Sequence, residues 1–178
     1  MQIDIKPHIK TAWQMVGLDY NAGLINSERC MQASLYRGLR TVLPPNFRVF
    51  VEPDWKTTEP DMVIEKDDRI VAVLELKFVP HAYAQYEGDL EKLTLKYVSS
   101  NEYCPVHIVP EAGNWEHTIK KTLPATKIDD NVIRVFAAIC RHDGEALDPT
   151  KFAGLGVLNL WGKVSGRIEG KDTVFGTG

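Results

Sequence analysis

Apolar and polar positions along the chain change their period several times, and each change predicts an element. Glu28, Met31, Gln32, Leu35, Leu39 and Val42 recur at spacings of three and four, the repeat of a helix with one buried face. That helix is expected to start at a cap on Asn26 or Ser27 and to run to about Leu43, where Pro44-Pro45 stops it. Its stripe is apolar except for Glu28 and Gln32, so the helix aims a carboxylate and an amide at the body of the protein. A shorter helix is expected from Lys10 to Val16. Three strands follow, Phe47 to Glu52, Asp61 to Glu65 and Ile70 to Phe78, the last two joined by a turn at Lys66-Asp67-Asp68-Arg69. The third is almost continuously apolar, as a strand covered on both faces should be; only Glu75 and Lys77 interrupt it, and Pro80 ends it.

Beyond Pro80 a helix is expected from about Tyr83 to Val98, with Tyr86, Leu90, Leu93 and Tyr97 on its core side and Asp89, Lys92 and Lys96 on a flank. A short strand at Val106 to Val109, a short helix from Asn114 to Leu123 and an apolar strand from Val132 to Cys140 come next, before the turn at Asp143-Gly144. After Lys151 the chain is rich in glycine; Val157 to Val164 reads as an edge strand, and the last residues read as loose. This order predicts an α/β fold, a mixed central sheet flanked by helices on both sides. At 178 residues the chain fits a single domain, with a core over about 26–142 and a glycine-rich C-terminal extension over 151–178.

Composition narrows the field without choosing within it. Hydrophobic residues make up 44% and charged residues 25%, ordinary for a globular domain. No apolar run approaches the roughly 20 residues of a membrane span, and the start carries no charged-then-apolar leader, so a cytoplasmic protein without a membrane partner is expected. Cys30, Cys104 and Cys140 lie far apart and read as small apolar packing residues. His8, His81, His107, His117 and His142 form no ligand spacing, and no glycine-rich loop runs into Lys-Ser or Lys-Thr, so no bound nucleotide is expected. The net charge of −3 gives no broad basic face; any surface for nucleic acid must be local.

The candidate chemistry lies on the third strand. Glu75 and Lys77 are two residues apart and emerge on the same face. Asp61 opens the neighbouring strand fourteen residues earlier, and the turn at Asp67-Asp68 folds it back beside Glu75. Two carboxylates with an ammonium alongside suit Mg²⁺ or Mn²⁺, hard ions bound by few carboxylates and several waters. Lys77 would hold or help deprotonate an attacking water. An acid, any residue, then lysine occurs four times, at Asp4, Asp54, Glu75 and Glu169, where composition alone gives about two. Only the pair at Glu75 interrupts an apolar strand and follows a Pro-Asp that opens a partner strand. Pro53-Asp54 precedes a loop and is the weaker alternative to Pro60-Asp61. A plain reading stands beside this one: Glu75 and Lys77 as a buried ion pair, and Asp61 as a turn cap.

Pro60-Asp61 followed by Glu75-Leu76-Lys77 resembles the PD-(D/E)xK nuclease superfamily, over roughly Asn26 to Val109. The resemblance implies a restriction-endonuclease-like αβββαβ core, with Asp61, Glu75 and the Leu76 carbonyl as metal ligands and Glu28 as a helper that orients water or assists a second ion. Some branches of the superfamily carry a glutamine and a tyrosine one helical turn apart after the lysine; here Gln85 is followed directly by Tyr86, so those branches do not match. Lys92 and Lys96, one turn apart, are candidates to meet phosphates or simply a solvated face. The expectation is Mg²⁺- or Mn²⁺-dependent hydrolysis of nucleic acid, with DNA as the expected substrate. The alternative is a non-catalytic module that binds nucleic acid or protein on the same fold. A homodimer and a targeting protein partner are both left open.

Overall fold

A computed structural model describes residues 4–53, 55, 59–82, 85–100, 103, 106–111, 114–122, 126–141, 152, 154–162 and 168–175. Helix α1, Lys6–Asn21, carries Pro7 in its first turn, where a missing N–H costs nothing, and buries Ile9, Ala12, Trp13 and Val16. Helix α2, Glu28–Val42, is capped by Ser27, whose Oγ accepts from the Cys30 N–H at 3.2 Å. Met31, Gln32, Leu35 and Leu39 form its buried face, as the sequence stripe predicts. The two helices cross closely at Gly38: a Cβ there would lie 3.1 Å from the Ala12 carbonyl oxygen. Cys140 is buried and Cys30 half-buried, whereas Cys104 lies outside the described residues.

Strands β1 (Phe47–Val51), β2 (Met62–Lys66) and β3 (Arg69–Val79) form an antiparallel meander. The β2–β3 turn places Asp67 at φ 50° and Asp68 at φ 59°, a left-handed pair that short polar side chains tolerate. Strand β6 (Lys127–Arg141) lies parallel to β3, and β7 (Gly156–Gly162) lies parallel to β6. Strand β8 (Ile168–Phe175) pairs antiparallel with β7, so the six-stranded mixed sheet has the order β1-β2-β3-β6-β7-β8. A separate antiparallel hairpin joins β4 (Val106–Glu111) to β5 (Asn114–Thr122).

Alternation along the strands divides the core between the two faces of the sheet. Met62, Ile64, Ala72, Leu74, Leu76, Val135 and Ala137 pack with α1 and α2. Val63, Val73, Phe136 and Ala138 point the other way, toward Leu93, Val98 and Tyr103. On that second face lie two short helices, α3 (Glu87–Lys92) and α4 (Leu95–Ser100).

Four expectations change. The helix expected over Tyr83 to Val98 is two helices, and Tyr83 lies outside the described residues. The break has a cause: Arg134 Nη1 donates to the Leu93 carbonyl at 2.9 Å, and Thr94 Oγ1 accepts from the Tyr97 N–H at 3.3 Å, which caps a fresh helix. Asn114 to Leu123, expected as a helix, is strand β5 up to Thr122; Trp115, Thr118, Ile119 and Thr122 favour extended backbone, and β4 supplies a nearby partner. Strand β7 is internal because β8 covers its outer edge, so the expected edge at Val157 to Val164 moves one strand outward; Val164 itself is not among the described residues. Residues 168–175, expected to be loose, form that edge. The expected turn at Asp143-Gly144 lies outside the described residues. Among the described residues no helix is long and apolar enough to cross a membrane.

Candidate functional site

Chain direction brings the candidate residues to one end of the sheet. Glu75 and Lys77 share the face of β3 that carries Val73, opposite α1 and α2. Asp61 stands just before β2 and is held at both its backbone and its side chain. Its carbonyl accepts from the Glu52 N–H at 2.9 Å and from Gln32 Nε2 at 3.1 Å. Its Oδ2 accepts from the Leu76 N–H at 2.6 Å. A carboxylate hydrogen-bonded to the amide between Glu75 and Lys77 has its position fixed by the strand itself. Glu28, in the first turn of α2, reaches the same end of β3, where its Oε2 accepts from the Phe78 N–H at 3.0 Å.

Helix α3 contributes the other half of the site. Asp89 and Lys92 are three residues apart and so lie on one side of the helix. Lys77 Nζ pairs with Asp89 Oδ2 at 3.3 Å, and Lys92 Nζ donates to Glu75 Oε2 at 3.0 Å. The Glu75 side chain is only 2% exposed, and its Oε1 has no hydrogen-bond partner among the described residues. Burial, reinforced by the repulsion of Asp61, pushes the Glu75 carboxyl up to about 8, against the pull of Lys92. Burial likewise raises Asp61 to about 6, with Glu28 adding repulsion while the Leu76 amide and Lys92 act in the opposite direction. These two carboxyls crowd one another in a medium that penalises both charges.

Such a pair with an open oxygen fits a divalent cation. A Mg²⁺ ion takes one or two carboxylates and keeps water in its remaining positions, and Asp61 with Glu75 supplies that donor set. Among the described residues no three His, Cys, Asp or Glu side chains are grouped closely enough to hold a metal, so a third protein ligand would have to be a backbone carbonyl such as that of Leu76. Glu28 is exposed and engaged by the Phe78 amide. Gln85 and Lys96 are exposed, and Asp54 lies outside the described residues. Gln32 and Asp89 are the participants that sequence reading leaves without a role. The amide in the apolar stripe of α2 was the available signal for Gln32; nothing local marks Asp89.

The fold is a mixed α/β architecture of nuclease-like type. From α2 to β6 its elements follow the αβββαβ order of restriction-endonuclease-like folds, with α3 and α4 in the place of the second helix and the β4–β5 hairpin inserted before β6. Among solved structures, the chain is similar to the cAAA-bound form of NucC from P. aeruginosa ATCC27853, with a TM-score of 0.50 and 11% identity. That match covers 98% of this chain and 85% of NucC, so the likeness extends through α1, β7 and β8. At this identity the likeness is one of fold. No family model and no curated protein matches the sequence.

Proposed function

We propose that this chain is a Mg²⁺- or Mn²⁺-dependent nuclease of the PD-(D/E)xK type, acting on DNA. The observation that carries the reading is the buried Oε1 of Glu75, without a hydrogen-bond partner among the described residues, beside the raised carboxyl of Asp61. A carboxylate kept dry with one oxygen unsatisfied costs stability, and a cation at that oxygen offsets the cost. Asp61, Glu75 and the Leu76 carbonyl would hold the ion. When bound, the ion supplies Lewis acidity at the scissile phosphate and neutralises charge on the leaving oxygen. Lys77 Nζ, half-exposed and tethered by Asp89, holds the attacking water and helps remove its proton. Glu28, anchored on the Phe78 amide, orients water at the rim. Lys92 and Lys96 meet backbone phosphates. The fold shared with NucC supports a nucleic-acid substrate and self-association.

One observation favours a second reading. Glu75 and Lys77 each already have an internal partner, Lys92 and Asp89, and such closed pairs suit a non-catalytic module that binds nucleic acid or protein on a nuclease-like fold. Cleavage of single- and double-stranded DNA with Mg²⁺ or Mn²⁺, wild type beside Glu75→Gln, decides between the two. Metal-dependent cutting lost in the variant is the expected result. A folded, metal-supplied wild type that cuts neither substrate leaves the binding module.

A further inference from the structure

The ion pair that Lys92 makes with Glu75 places its ammonium where the cation of the proposed site would act, a contact that the phosphate role given to Lys92 above does not use. Its Nζ lies 3.0 Å from Glu75 Oε2, and Asp61 and Asp89 add to the negative field around it. Lys77 cannot do the same work, because its own Nζ is taken by Asp89 at 3.3 Å.

We propose that Lys92 is a resident counter-ion of the acidic cluster: it neutralises Glu75 while no metal is bound, is expelled when a divalent cation enters, and is thereby freed to meet a phosphate of the substrate. This rests on the metal-site reading above and adds an order of events to it. Three features suit an exchangeable cation better than a permanent pair. The Lys92 side chain is 36% exposed, so its head can swing into water without crossing the core. It sits at the last position of α3, a six-residue helix of which no residue is fully buried. An ammonium on a flexible stem is also a point charge that re-aims easily, unlike the planar fork of an arginine. Lys92 engages only Oε2, and among the described residues the buried Oε1 has no hydrogen-bond partner, so one oxygen of Glu75 remains for a cation. Two cations on one carboxylate repel, which favours the departure of Lys92 once a divalent ion is bound.

Holding Lys92 in the site lowers apparent metal affinity by the fraction of molecules it occupies. Removing its charge should therefore tighten metal binding while weakening the metal-free fold. The experiment is calorimetric titration of Mn²⁺ into the full chain, wild type beside Lys92→Met, with thermal melting of both metal-free proteins. The expected result is Mn²⁺ affinity about tenfold or more tighter in Lys92→Met, with a lower metal-free melting temperature that Mn²⁺ restores. A purely structural lysine would lower the melting temperature and leave affinity unchanged or weaker, and either of those affinities overturns the proposal while keeping the metal site. If neither protein binds Mn²⁺, the metal-site reading falls and this proposal with it. Lys92→Gln replaces Lys92→Met in the same measurements if the latter does not fold.

Discussion

Two glutamates on adjacent strands, Glu65 on β2 and Glu75 on β3, are equally buried at 1% exposure, yet their surroundings differ in kind. Glu65 is satisfied on both oxygens: Arg48 Nη2 donates to Oε1, and Thr126 Oγ1 donates to Oε2 at 3.3 Å. Arg48 is itself shared with Asp68 at 2.6 Å, so the charge is passed outward to the surface. Glu75 has one lysine on one oxygen, no hydrogen-bond partner among the described residues on the other, and a second carboxyl pressing on it. A buried carboxylate that the fold has fully paired reads as structural; one left half paired among the described residues is a candidate for a binding role. The difference lies in the partners, since burial is the same.

The largest test of that contrast is activity. Glu75→Gln should reduce metal-dependent DNA cleavage by roughly a thousandfold or more, measured at saturating Mn²⁺. Glu65→Gln, at the same depth in the next strand, should retain cleavage within about threefold when folded. Equal losses in both variants would reduce the comparison to one of stability.

Stability should respond in the opposite order. Glu65→Ala strips Arg48 and Thr126 of their shared acceptor, and denaturant unfolding should show a loss of about 2 kcal/mol. Without metal, Glu75→Gln should cost nothing or stabilise, because it removes a charge that the site holds at a disadvantage. A Glu75→Gln protein less stable than Glu65→Ala would mean that the Lys92 contact outweighs the crowding.

Much of this contrast cannot be read in the sequence. β3 is legible because two charges stand out in a long apolar run, and α2 because Glu28 and Gln32 fall in an otherwise apolar stripe. The pairing of Asp61 with β3 follows from the short turn at Asp67-Asp68. Those are local patterns. Glu65, at the end of the predicted second strand, looks as exposed as any strand-terminal acid until Arg48 and Thr126 arrive, and Thr126 is 61 residues away. Likewise the break between α3 and α4 depends on Arg134, 41 residues downstream, and Lys92 reaches Glu75 only because that break fixes where α3 sits. Residue types suggest the candidate chemistry; partners distant in sequence decide which acid is fully paired and which is not.

Acidity gives the next effect in size. The folded carboxyls of Glu75, about 8, and Asp61, about 6, lie above their ordinary values of 4.5 and 3.8, so the fold binds their protons more tightly than the unfolded chain does. The stability they contribute is therefore fully present below the ordinary values and is lost as pH rises through 6 and then 8. Metal-free melting temperature should fall from about pH 5 to pH 8 in wild type, and the fall should be much smaller in Glu75→Gln. An identical slope in both would show that Glu75 is not the group responsible.

The smallest expected effect lies on the exposed flank, at Lys96. It is solvated on α4, away from the buried pair, so replacing it should leave the melting temperature and Mn²⁺ affinity unchanged. Its proposed role is one phosphate contact, and such a contact has two signatures. DNA affinity of Lys96→Ala should drop a few-fold regardless of sequence, and the slope of log affinity against log salt should become shallower by about one. Filter binding of DNA by Lys96→Ala in the Glu75→Gln background, where cutting is suppressed, measures both at once. A few-fold loss with an unchanged salt slope would make Lys96 a neutral contact instead of a phosphate contact. No loss at all would confine nucleic-acid recognition to the buried end of the sheet, where Glu75, Lys77 and Lys92 already converge through their ion pairs.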